Sequence, residues 1–137
     1  MSVEWAMQMP VRVLARIKTE FSATIKTKYG MKDSQFSNGS SGTAPAKFPY
    51  VVLKTLPAAE TGRTLEGTGL NGVLFAFQVD VIDNAKQQTS KEIMLEIVRI
   101  MKAMAFDVND MPTFEDNLEE HRSTARFRRN MAKEDIL

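Results

Sequence analysis

Strict alternation marks the middle of the chain. Between Asn71 and Ile82, Val73, Phe75, Phe77, Val79 and Val81 take every second position, and Gln78 and Asp80 sit between them. Successive strand side chains point to opposite faces, so this run predicts a strand with one continuous apolar face and a second face that turns polar towards its far end. Antiparallel sheets solvated on one side read this way. No other stretch carries as much aromatic and β-branched surface, which makes this the expected central strand.

The period changes on either side. Across residues 10–29, Val11, Leu14, Ile17, Phe21, Ile25 and Tyr29 recur at threes and fours, which predicts a helix with one apolar stripe. Pro10 suits its first turn and Gly30 its C-terminal stop. Residues 33–47 are rich in Ser, Gly and Asn, leaving little to bury, and predict a flexible loop. Phe48 to Leu56 reads as a strand with Pro49 at its start or on an edge, because proline cannot donate to a ladder; Pro57 would end it. The glycine-bearing connection from Glu60 to Gly72 then reads as a hairpin loop into the central strand.

Beyond that strand, Thr89-Ser-Lys-Glu92 has capping-box spacing, with Thr89 as N-cap and Glu92 reaching back. Ile93, Ile97, Ile100, Met101 and Met104, helped by Met94 and Val98, would line one face of a helix running to about Ala105. Phe106 to Phe114 predicts an irregular strand broken by Pro112, followed by a turn at 115–117. From Glu119 to Arg129 the alternation returns: Ser123, Ala125 and Phe127 face one way, and Arg122, Thr124, Arg126 and Arg128 the other. A short C-terminal tail from about Asn130 is expected to fray. The order α-β-β-α-β-β predicts one α+β domain spanning 1–137, an antiparallel β-sheet of about four strands with two helices packed on one face.

Composition narrows the function classes. A chain of 137 residues holds one core, and 18 Lys+Arg against 17 Asp+Glu is not the basic excess of a phosphate-dominated nucleic-acid binder. The absence of cysteine excludes disulfides and thiolate metal sites. No apolar run reaches the roughly 18 residues of a membrane span, and Glu4, Arg12 and Arg16 do not fit a secretory signal. A cytoplasmic protein, at least until assembly, is expected.

Candidate chemistry is sparse. Gly67-Thr-Gly-Leu-Asn-Gly72 matches the dinucleotide fingerprint as a string, but a strand rather than a helix is expected to leave it, so no cofactor is expected there. His121 has neither cysteine nor a second histidine to share a metal with. Glu115, Asp116, Glu119 and Glu120 lack the ordered spacing of a calcium loop. No catalytic residue, cofactor or metal is assigned. Two charged groups remain as candidates for a subunit or ring interface. One is Arg63 and Glu66 in the glycine-rich connection. The other is the set Arg122, Arg126, Arg128 and Arg129, of which three share a sheet face. Arginine forks suit carboxylate or phosphate. A solvated face, a subunit interface and a DNA contact all fit that stripe, and the acidic cluster at 115–120 offers it a complement on a neighbouring copy.

Taken together, Phe48-Pro49-Tyr50 opening a strand, Phe77-Gln-Val-Asp-Val81 inside the central one, the glycine-bearing loop before it, Met101-Lys-Ala-Met-Ala-Phe106 closing a helix and the Arg126-Phe-Arg-Arg129 ending carry a resemblance. Over roughly residues 8–130 the chain resembles the tail terminator, or tail completion, proteins of long-tailed bacteriophages. That resemblance implies a small α+β subunit assembling as a homohexameric ring that caps the tail tube, stops its polymerisation and provides the head-joining surface. Its partners would be further copies of itself, the tail tube protein, and a connector or head-closure protein. DNA would pass through without sequence-specific binding, and no membrane is involved. The protein would reside at the head-proximal end of the virion tail, after assembly in the host cytoplasm. A head-closure or connector protein of the neck is the first alternative, and a small monomeric or dimeric binding domain the second.

Overall fold

Strand β4 (Gly72–Asp83) has neighbours on both edges, and the remaining elements are arranged around it. The structure, a computed structural model, describes residues 4–38, 48–56, 59–61, 72–84, 86–116, 120–131 and 137. On one edge β4 pairs antiparallel with β2 (Tyr50–Thr55) and, further along, with the short β3 (Ala59–Thr61). On the other it pairs antiparallel with β6 (His121–Met131), which in turn pairs with β5 (Asp107–Asp116). The two-residue β1 (Phe36–Ser37) joins the far edge of β2 in parallel, giving the order β1-β2-β4-β6-β5. The antiparallel core is as the alternation predicts. The sheet as a whole is mixed and larger than four strands, because two short strands without a period of their own extend it.

Helices cover one face. α1 (Glu4–Glu20) and α3 (Gln87–Ala103) pack together, α1 beside β1 and α3 over β4, β5 and β6; α2 (Ala23–Tyr29) follows α1 directly. Beneath them Val73, Phe75, Phe77, Val79 and Val81 are buried with Ile93, Ile97, Met101, Phe106 and Phe127. The Phe77 ring lies 6.2 Å from Phe75 and 5.6 Å from Phe106 between centroids, within the range of favourable aromatic pairs.

The helix expected over 10–29 is two helices, interrupted at Phe21 and Ser22. Phe21 stays in the core, its ring 5.2 Å from that of Phe36, while the chain changes direction around it. α1 also starts earlier than expected, so Pro10 lies inside the helix rather than in its first turn. The earlier start brings in a buried Met9, and Val13 fills the core while Val11 stays exposed. Gly30 ends α2 as predicted, at φ 63°, with the Met31 N–H donating to the Lys26 carbonyl at 2.8 Å. A Cβ at Gly30 would meet nothing within 4 Å, so Gly30→Ala carries only the left-handed backbone cost. A loss of about 1 kcal/mol, measured by denaturant unfolding, is expected.

Four further expectations change in the structure. The segment predicted as a loop from residue 33 is anchored through residue 38: Asp33–Gln35 forms a 3-10 turn, Phe36 enters the core, and the Gln35 amide donates to the Pro49 carbonyl at 2.7 Å. Its remainder, 39–47, lies outside the described residues, as do Pro57 and most of the glycine-rich connection. Thr89 is not an N-cap. α3 begins at Gln87, Thr89 and Ser90 are buried in its first turn, and Asp83 Oδ2 accepts the Lys86 N–H at 2.8 Å just before it. Finally, β5 runs through Pro112 to Asp116, taking up the proline with register shifts between Val108 and Thr113, as an edge strand can. β6 does not fray at Asn130: it continues to Met131, which is buried in the core.

Candidate assembly surface

The sheet face turned away from the helices carries the charged groups. Lys54 of β2 stands opposite Gln78 of β4, which stands opposite Arg126 of β6; Val52, Asp80 and Thr124 form the next row. Directly opposed residues project to the same side, so these rows form a continuous polar belt. Lys54 Nζ is 2.9 Å from Asp80 Oδ2, and the Thr124 hydroxyl donates to Asp80 Oδ1 at 2.8 Å. The Gln78 amide donates to Asp80 Oδ1 at 3.2 Å and accepts from Arg126 Nε at 3.1 Å. Arg126 Nη1 then reaches Asp110 Oδ2 of β5 at 3.5 Å. The belt crosses four neighbouring strands. Its hub is the Asp80 carboxylate, with 2% of its side chain exposed, a buried charge made tolerable by partners on three sides.

The arginine set divides accordingly. Arg122, Arg126 and Arg128 share this outer face, as the alternation predicts. Arg126 is held within its own chain by Gln78 and Asp110. Arg128 is exposed, with Asp107 as its register partner on β5, and the half-buried Arg122 stands opposite Glu115. Arg129 projects to the helix side, where Nη1 donates to the Met104 carbonyl at 2.8 Å. A cation there satisfies an open carbonyl at the end of α3 and complements the helix dipole. The acidic residues expected to meet a neighbour's arginines are partly in β5, where register sets Glu115 and Asp116 against Arg122 and His121 of the same chain. Arg63 and Glu66 lie outside the described residues.

On the helix side, Glu92 joins α3 to α2 instead of closing a capping box. It accepts from the Tyr29 hydroxyl and pairs with Lys28 at 3.0 Å. The Tyr29 hydrogen bond first, and Lys28 second, hold the Glu92 carboxyl below the usual carboxylate range. A carboxyl lowered in the folded state contributes stability above its unfolded pKa and loses it as pH falls through the folded one. Glu92→Gln is therefore expected to lower stability at neutral pH. It should also flatten the dependence of the unfolding midpoint on pH below the ordinary carboxylate range, as read in pH-resolved denaturant titrations.

Concavities are shallow. A cleft of about 500 Å³ lies where β5 departs from register, and is lined by Asn109, Asp110, Met111, Thr113, Thr124 and Arg126. Among the described residues no group of three or more His, Asp or Glu is placed to hold a metal ion. The polar belt was the part of this surface missed in the sequence pattern. Asp80 flanked by valines in a strand is its one visible signal, since a charge placed there has to find partners across the sheet. No protein-family model matches the chain, and no curated protein matches it.

Proposed function

We propose that the chain is a structural virion subunit that assembles as a ring on the end of a long-tailed phage tail tube. There it ends tube polymerisation and presents the surface joined by the head. The observation that carries this reading is the asymmetry of the sheet. One face is closed by helices, while the other is an ordered charged surface bordered by the edge strand β5. An open, charged, internally braced sheet face suits contact with another protein better than chemistry on a small substrate. On this reading the exposed Arg128, with Arg122, contributes to subunit or ring contacts, and Arg63 and Glu66 supplement them from the glycine-rich connection. DNA passes through the ring without being read.

The test is tube growth. Added at about one ring per tube to polymerising tail tube protein, the chain should arrest elongation and leave short tubes with one blunt, capped end in electron micrographs. Unchanged tube lengths would defeat the proposal. A head-closure or connector role at the neck predicts binding to the head-proximal complex without arrest of tube growth. The reading as a free-standing binding domain draws on the cleft beside the β5 irregularity and predicts a protein that never forms rings.

A further inference from the structure

Most of the large apolar side chains that stay exposed among the described residues gather in two places. The first is α1. Met7, Val11 and Ala15 are spaced four apart and so line up on one side of the helix; Met7 is 74% and Val11 62% exposed. This stripe is separate from the buried one made by Met9, Val13, Ile17 and Phe21, and Arg12 and Arg16 flank it. The second is the β5 edge, where Met111 is 73% exposed and Phe114 40%. Lys91 Nζ lies 5.2 Å over the Phe114 ring, and Leu95, one turn further along α3, is also exposed. β5 carries Asp107, Asp110, Glu115 and Asp116 and no basic residue.

These patches are at different ends of the sheet. α1 packs beside β1, and β5 closes the opposite end of the strand order. The α1 stripe is bordered by Arg12 and Arg16, whereas β5 itself carries only acidic charges, Lys91 of α3 being the basic group over Phe114, so β5 offers the α1 stripe an acidic complement. Covering an edge strand with a helix is also a common way to protect it from uncontrolled pairing. We infer that α1 of one copy docks against the β5 edge of the next, with Met7 and Val11 meeting Met111 and Phe114 and Arg12 and Arg16 facing Asp107 and Asp110. The existing pairs of the last-named groups, Arg16 with Glu20 and Asp110 with Arg126, are both 3.5 Å surface contacts, weak enough to be shared or exchanged. An apolar centre with a charged rim is the usual anatomy of such a contact.

A head-to-tail contact of this kind repeats from copy to copy, closing as a ring or continuing as a filament according to its rotation. Closure rests on the ring reading above; the contact itself does not. The test uses the full chain and two variants, Val11→Glu and Met111→Glu, both at exposed positions and both expected to keep wild-type circular dichroism and, at concentrations where wild type is monomeric, wild-type melting temperature. By sedimentation velocity, wild type should form species larger than a dimer as concentration rises, and each variant alone should remain monomeric. Mixed one to one, the variants should form a dimer and nothing larger, because Val11→Glu keeps an intact β5 edge and Met111→Glu keeps an intact α1. A wild type that is monomeric at the highest attainable concentration would overturn the inference. So would variants that assemble like wild type, or a mixture that stays monomeric. A wild type that assembles this way yet fails to arrest tube growth would retain the contact and remove the capping function.

Discussion

Phe77→Ala is expected to remove about 3–5 kcal/mol of folding stability. The side chain is fully buried at the centre of the central strand, stacked along β4 with Phe75 and edge-on to Phe106, with Phe127 directly opposite on β6. Removing the ring withdraws its transfer free energy and leaves a cavity where α3, β4 and β6 meet. The surrounding rings belong to β4, β6 and the connection from α3 to β5, so closing that cavity requires movements that do not coincide, which places the cost in the upper part of the range. Small domains have only about 5–15 kcal/mol in total, so the variant should be partly unfolded at moderate temperature. Denaturant titration by circular dichroism measures it. Met111→Ala, on the exposed edge, should change the same measurement by no more than about 0.5 kcal/mol. Equal losses at the two positions would mean the core is not centred on Phe77.

The second large effect is expected at Asp80. Asp80→Ala leaves the Thr124 hydroxyl and the Gln78 amide without their shared acceptor in a nearly buried row, while half-exposed Lys54 can turn to water. Hydrogen bonds to a charged group contribute about 1.5–3 kcal/mol, so a loss near 2–3 kcal/mol is expected, most of it from the orphaned donors. The ion pair with Lys54 is the minor part, since a pair with one exposed member is screened. This gives a discriminating pair of variants. Lys54→Met should cost under about 1 kcal/mol, and the Asp80–Lys54 coupling in a double-mutant cycle should be of similar size and weaken with salt. A coupling that accounted for the whole Asp80→Ala effect would show that the ion pair, and not the hydrogen-bonded row, braces the outer face.

The strands were legible where burial is one-sided. The period-two pattern at 73–81 and 122–128 sorted inward from outward residues correctly, because a one-residue slip would have turned the whole apolar set to water. α3 was legible for the same reason. Val11 was misplaced because α1 carries two apolar stripes, and a period identifies a stripe without saying which one is covered. β1 has only two residues and no period, and its anchor, the Gln35 amide on the Pro49 carbonyl, is a contact between residues 14 apart in sequence. Thr89-Ser-Lys-Glu92 had the right spacing for a cap, but Glu92 found the Tyr29 hydroxyl, a partner local spacing cannot reveal. At the candidate surface, the shared face of Arg122, Arg126 and Arg128 followed from alternation. That Arg126 is committed to Gln78 and Asp110, and Arg129 to the end of α3, depended on the fold.

The most direct test of the ring-cap proposal is the native mass of the chain alone and of the species it forms on tail tube ends. A homohexamer, present beforehand or formed only on the tube, is the expected result, with tubes that no longer elongate. A chain that stays monomeric beside growing tubes, and leaves their ends open, would contradict it.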